Sequence, residues 1–222
     1  MAHHSTRQYD VSVASTETEL LQACAVRAEA YGHHLGAAVL SFSAVEDMDR
    51  EAGTFVLLCR DSISGAVLGT ARIQTNEHRP LLVERSVILP RHIARRTRAE
   101  VTRLAVKPGS DRLVKLCLMR AVYQFCEAQG IDWLVICARS EPLARTYRSL
   151  GFVDFLEPGQ HVLLAHAGHL PHLVFTMDVA ATRQRWLAAG HRLQSFMLAG
   201  AQGPWLGYLQ RLRPVGCQEQ AA

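Results

Sequence analysis

Ala99-Glu100-Val101-Thr102-Arg103-Leu104-Ala105-Val106 decides how this chain is read. Its β-branched and apolar residues describe a buried strand, yet it holds a glutamate and an arginine three positions apart. Charges in a core strand are costly unless they are paired or put to use. On a flat strand, side chains three apart point to opposite faces. Glu100 and Arg103 therefore share a face only if a bulge intervenes, and bulges recur beside active sites. Without a bulge, Glu100 is a solvent-facing strand end and Arg103 pairs with an acid at the edge of the core. On these residues alone both readings stand.

Downstream, Lys107-Pro108-Gly109 stops the strand. Asp111 then caps a helix through Leu113, Leu116, Cys117, Val122 and Phe125, which Gly130 ends. Trp133 to Cys137 reads as a buried strand, Glu141 to Leu150 as a helix closed by Gly151, and Phe152 to Leu156 as a further strand. His172 to Val179 supplies the last strand, and Ala181 to Leu198 a C-terminal amphipathic helix within residues 180–200. Upstream, Tyr9, Val11 and Val13 alternate with polar residues as in a short strand. A helix follows from Thr16 or Thr18 and ends at Gly32. Residues 36–49 form a loop that finishes in the acidic Glu46-Asp47-Met48-Asp49. Phe55–Cys59 and Ala66–Gln74 make a hairpin over the turn Asp61-Ser62-Ile63-Ser64-Gly65. Residues 76–98, with Pro80, Pro90 and a run of arginines, read as an insertion or lid on the sheet.

This order, a hairpin first and helical crossovers later, predicts an α/β (α+β) domain covering residues 1–222. Its mixed sheet carries helices on both faces, and parallel strands that splay apart leave a central cleft. With 222 residues, 49% apolar and 20% charged, the chain can bury a real core. A net charge of +4 is mild and selects no partner; no nucleic-acid partner is expected. Six cysteines without a CxxC pair read as reduced thiols of a cytoplasmic protein. No apolar run is long enough for a membrane span. His3 and His4 read as an unstructured terminus.

Candidate chemistry is dispersed. Arg27, Arg72, Glu46, Asp47 and Asp49 are each unremarkable singly, and Tyr147 is more often packing than chemistry. Cys137 lacks a histidine partner, which disfavours a catalytic thiol. His161, His166, His169 and His172 show no zinc spacing, and no metal site is expected.

Ala144-Arg145-Thr146-Tyr147-Arg148-Ser149-Leu150-Gly151-Phe152 resembles the late helix–strand motif A-x-x-Y-x-x-L-G-F of the GNAT acyltransferase superfamily. The superfamily's pyrophosphate loop, Q/R-x-x-G-x-G/A, is replaced by Lys107-Pro108-Gly109-Ser110-Asp111-Arg112, which leaves fewer free amides for a coenzyme A pyrophosphate. Glu100-Val101-Thr102-Arg103-Leu104-Ala105-Val106 is similar to the E-x-S-R-x-A-V signature shared by acyl-homoserine lactone synthases and long-chain N-acyl amino acid synthases. Arg27 with Tyr31 resembles that group's R-x-x-x-F/Y, Glu46 to Asp49 its acidic loop, and Arg72 the arginine of its G-x-x-R strand. No Trp precedes Trp133 and the E-x-D-x-x-D spacing is absent, so the N-acyl amino acid synthases are the nearer branch.

This resemblance implies a mostly antiparallel GNAT-like sheet and transfer of a long-chain fatty acyl group to the α-amine of an amino acid. It implies no tightly bound cofactor and an acyl-phosphopantetheine thioester as donor, carried by acyl carrier protein or coenzyme A. Glu100 is the expected base, Arg103 and Arg72 orient it and the loop acids or bind the acceptor carboxylate, and Tyr147 is the proton donor to the leaving thiolate. Arg27, Tyr31, Glu46, Asp47, Asp49 and Arg72 are expected at the substrate. Arg91, Arg95, Arg96, Arg98, Arg112 and Lys115 are expected to frame the cleft for an acidic carrier protein. The alternatives are a homoserine lactone synthase using S-adenosylmethionine and a non-catalytic module that binds a lipid or a carrier protein.

Overall fold

The computed structural model describes residues 8–35 and 44–198. His3, His4, most of the loop before Glu46, Cys217 and the end of the expected C-terminal helix lie outside the described residues. The strands are β1 (Tyr9–Val13), β2 (Thr54–Asp61), β3 (Val67–Thr75), β4 (Arg98–Val106), β5 (Trp133–Ala138), β6 (Val153–Asp154), β7 (Val162–Leu164) and β8 (Leu170–Asp178). The helices are α1 (Glu17–Leu35), α2 (Arg91–Ala94), α3 (Arg112–Gln129), α4 (Glu141–Ser149), α5 (Val179–Ala188) and α6 (Gln194–Leu198). Spatial order is β1-β2-β3-β4-β5-β8-β6, with β7 paired to β8. Every pairing is antiparallel except β4 with β5.

Local chemistry sets most boundaries. Asp61 accepts hydrogen bonds from the Ile63 and Ser64 amides, and Gly65 closes the β2–β3 turn with φ of 70°. Asp111 caps α3 through the Leu113 amide at 2.9 Å, and Gly130 ends it in the left-handed region. Several expectations are corrected. Gly32 does not end α1, which runs on to Leu35 because one glycine inside a well-packed helix is tolerated. The C-terminal helix is broken into α5 and α6 around Gly190, whose φ is 55°. The strand expected at Phe152–Leu156 shrinks to two residues, and β7 was not foreseen.

Two apolar layers sandwich the sheet. On one face α3 packs Val114, Leu118, Val122 and Phe125 against Leu57, Ala71, Ile73 and Val101. On the other, α1 places Ala23 and Val26 over Val56, Leu58 and Ala105. The close approach of α3 requires Gly69, where a Cβ would lie 2.7 Å from Val114 Cγ1 and 2.9 Å from Leu118 Cδ1. Gly69→Ala should therefore cost about 1–3 kcal/mol by overpacking. A thermal melt should show a Tm lower by several degrees; an unchanged Tm would mean that α3 has room to spare.

Residues 76–98 are a packed layer. Leu81, Val83, Val87, Leu89 and Ile93 are buried against Val135, Leu164 and Val174. A 3-10 turn at Leu82–Arg85 lies over the start of β4 and proves central to the site.

Candidate active site

The site grows from an irregularity in β4. Thr70 of β3 faces Ala105 and Arg72 faces Thr102, so two residues of β4 (Arg103 and Leu104) oppose one of β3. Arg103 adopts φ of 54°, a left-handed conformation that costs a non-glycine residue about 1–3 kcal/mol. This is the bulge that the sequence requires if its two charges are to cooperate. Ala99 and Val101 face α3, whereas Ala105 beyond the bulge faces α1. Glu100, Thr102 and Arg103 are thereby gathered on the α1 side.

The same irregularity opens the sheet. β4 and β5 pair only from Arg98–Trp133 to Val101–Ile136, although β4 continues to Val106. The β5-facing edge of Thr102–Val106 thus has no strand partner among the described residues, and its backbone amides border a fork. This is the splayed cleft expected from the topology.

An ion cluster lies beside the fork. Arg27 of α1, 1% exposed, grips Asp49 through two hydrogen bonds of 2.6 and 3.0 Å. Arg72 of β3 reaches Asp49 at 3.3 Å, Glu46 at 2.5 Å and the Thr102 hydroxyl at 2.9 Å. Arg103 holds Glu46 through two contacts of 3.0 and 2.5 Å, which offset its backbone strain. The Arg103 and Arg72 guanidinia hold the Glu46 carboxyl down to about 2, against the penalty of burial. Three guanidinia therefore face two carboxylates, leaving one positive charge in surplus, and Arg27 Nε is buried without a partner among the described residues. Tyr31 stands near Arg103, Arg27 and Arg72, its hydroxyl raised above the usual phenol range by burial.

Glu100 lies at the root of the fork and is 1% exposed. Its Oε2 accepts a hydrogen bond from the Val83 amide at 2.9 Å, with Leu82 also contributing from the 3-10 turn. Burial outweighs these donors and the nearby Arg72, and lifts the carboxyl to about 7. Oε1 faces Nε2 of His166 at 3.6 Å. His166 occupies the 3-10 turn Ala165–Ala167 between β7 and β8 and was missed in the sequence, where nothing in its spacing distinguishes it. Tyr147 of α4 is buried between Phe152 and Phe175, close enough to Tyr31 and Cys137 to feel their charges. Burial holds its hydroxyl well above the usual phenol range and raises the Cys137 thiol likewise.

Other expected residues lie elsewhere. Asp47 is exposed, outside the cluster that takes Glu46 and Asp49. Arg98 is not a surface cation. It is 8% exposed and bound to Glu84 by two 3.0 Å hydrogen bonds, with the Ala94 carbonyl at 2.9 Å, because it begins β4 rather than ending a loop. Arg91, Arg95 and Arg96 are exposed, but they precede β4, whereas Arg112 and Lys115 follow it on α3. The intervening nine-residue strand spans about 30 Å, so these cations cannot ring one mouth. The fork opens at the C-terminal end of β4, on the Arg112 and Lys115 side. A groove of about 830 Å³ lies at the opposite end, lined by Arg96, Trp133 and Arg183 among others. Among the described residues there is no cluster of potential metal ligands, and no helix is long and apolar enough to cross a membrane.

A mixed sheet that forks beside a bulged strand, with a buried carboxylate at the root of the fork, defines a GNAT-fold N-acyltransferase. The family described as N-acyl amino acid synthase FeeM matches residues 22–172, and the chain belongs to it. Among solved structures, FeeM, an N-acyl amino acid synthase from uncultured soil microbes, is similar with a TM-score of 0.62 at 15% identity, covering 86% of this chain and 99% of that one. The acyl-homoserine lactone synthase LasI gives 0.57 at 16% identity over 78% of this chain and 91% of its own. FdhC, a nucleotide-linked sugar GNAT, gives 0.55 at 7% identity over 82% and 93%. No curated protein matches the chain.

Proposed function

We propose that this synthase moves a long-chain fatty acyl group from the phosphopantetheine thioester of an acyl carrier protein to the α-amine of an amino acid. The observation that carries the reading is Glu100 at the root of the fork, beside a cluster with surplus positive charge. An amino acid zwitterion matches that arrangement: its carboxylate is drawn to the arginines and its ammonium to an ionised Glu100. A base poised near neutrality is suited to deprotonating an amine.

The amine, having lost its proton to Glu100 directly or through a water, attacks the thioester carbonyl and forms the C–N bond. Backbone amides on the unpaired edge of β4 stabilise the oxyanion. Collapse breaks the C–S bond, and the Tyr147 hydroxyl, kept protonated by its burial, supplies the proton to the departing thiolate. Arg72 and Arg103 act by holding Glu46 and Asp49 in place. The fork between β4 and β5, flanked by Leu104 and Val106, takes the acyl chain.

The donor assignment rests on α3. In a GNAT fold a coenzyme A pyrophosphate lies at this helix N-terminus. Here the Asp111 carboxylate caps the Leu113 amide, Pro108 has no N–H, and a second negative charge is repelled. A phosphopantetheine arm without an adenine nucleotide avoids that clash. Arg112 and Lys115 stand at the same end and offer an acidic carrier protein a partner. Reversing both to Glu should raise the KM for acyl-carrier protein tenfold or more at low salt, with the difference shrinking as salt rises. Equal use of acyl-CoA with no salt dependence would refute the carrier-protein donor. Lipid mass spectrometry of cells expressing the chain should detect N-acyl amino acids. Release of methylthioadenosine from S-adenosylmethionine would overturn the amino acid acceptor.

A further inference from the structure

Glu100 is held asymmetrically. Its Oε2 is bound by the backbone of the Leu82–Arg85 turn, whereas Oε1 is buried with no hydrogen-bond partner among the described residues. The imidazole of His166 stands over that oxygen, with Nε2 at 3.6 Å and its side chain 10% exposed. The Ala165 amide donates to Ser86 Oγ at 2.9 Å and ties the His166 turn to the segment that covers Glu100.

We infer that His166 is a positioning residue for Glu100, donating its Nε2–H to Oε1 and thereby orienting the carboxylate and keeping it ionised near neutrality. The inference rests on the assignment of Glu100 as base. It adds a residue that belongs to none of the sequence motifs and comes from the β7–β8 turn.

Tautomer logic supports it. Burial, with Arg103, His172 and Arg72 nearby, pulls the His166 ring down to about 4, so it is neutral at working pH. A neutral ring with its proton on Nδ1 would set the Nε2 lone pair against the carboxylate. It would also leave a buried N–H without a well-formed bond, since Nδ1 makes no hydrogen bond among the described residues, although the Leu82 carbonyl lies near the ring. With the proton on Nε2, the orphan is an acceptor, the cheaper kind. The present separation is slightly long for a hydrogen bond, and such bonds tighten when substrate is bound. Other charged or titratable groups that act on Glu100 among the described residues include Arg72 of β3, Glu84 of the covering turn and Cys137 of β5. Only His166 reaches Oε1 as an ion-pair partner among the described residues.

The test follows the Glu100 carboxyl directly. Carbon-13 NMR of glutamate-labelled protein, with Glu100 assigned through Glu100→Gln, should give a midpoint near 7 that rises by about one unit in His166→Phe. In His166→Gln, which restores a donor, the midpoint should return most of the way. The acidic limb of kcat/KM should move with it, so His166→Phe loses about fivefold at pH 7 and recovers by pH 9. An unmoved midpoint in His166→Phe overturns the inference. If the midpoint moves while Glu100→Gln remains fully active, the pairing stands and the base assignment fails instead. Should His166→Phe not fold, the reciprocal reading decides: the His166 ring must titrate differently in Glu100→Gln, and an identical titration overturns the pairing.

Discussion

Glu100→Gln lowers kcat/KM for acyl transfer by about 10²- to 10⁴-fold, the span that removal of a general base produces. It does so without loss of fold, since glutamine fills the same volume and can still accept from the Val83 amide. The pH dependence gives a second, independent signature. The Glu100 carboxyl titrates near 7 in the folded protein against an ordinary 4.5, so the folded state holds this proton more tightly than the unfolded chain. Stability from this group is full below about 4.5 and declines as pH rises to about 7, a loss of about 3 kcal/mol. Turnover runs the other way, because only the carboxylate accepts a proton. Melting curves between pH 4.5 and 8 should show the wild type losing Tm across this window while Glu100→Gln stays flatter. Undiminished turnover in the variant would remove Glu100 as base.

Arg72→Leu has the largest expected effect on stability. Arg72 is 2% exposed and bridges Glu46, Asp49 and the Thr102 hydroxyl. Leucine leaves two carboxylates with less compensation in a buried site, and breaking one partner of such a network costs about 3–5 kcal/mol. In a protein of this size that lowers Tm by about 10 °C. Arg72→Lys keeps the charge but not the fork, so it should recover only part of the loss. The network's carboxylate behaves oppositely to Glu100. Glu46 is held down to about 2, so its contribution is full above about 4.5, declines as pH falls from there, and is gone once pH passes below about 2. An Arg72→Leu protein that melts with the wild type would show that the cluster is surplus to the fold.

Much of this site was legible because its members sit in strong local patterns. Arg27, Glu46, Asp49, Arg72, Glu100 and Arg103 come from four separate segments, yet each stands at a fixed place in a recognisable element, and cooperation of the two charges in the strand required a bulge. Where the sequence misled, the reason was tertiary. Arg98 shares a run with Arg91, Arg95 and Arg96, and no local signal shows that β4 begins there and turns it toward Glu84. The arginines on either side of β4 read as one patch because linear order hides the length of the strand between them. Gly32 carries a helix-ending signal that packing of α1 on the sheet overrides. His166 was hidden because its role depends on where the β7–β8 turn folds back, and β7 itself is only three residues long.

The short seam between β4 and β5 bears on how such a protein can diverge. Four residue pairs join the two leaves of the sheet; beyond them the leaves part, and the apolar side chains there include Leu104 and Val106 on one leaf and Ala138 on the other, all packed into the core. None of these three carries charge, and the hydrogen bonds of Arg27, Arg72 and Arg103 described above go to other residues. Bulk in the fork and proton chemistry at its root are thus written in different residues. If the fork takes the acyl chain as proposed, the length accepted can drift by exchanging one aliphatic side chain for another, while Glu100 and its partners stay fixed.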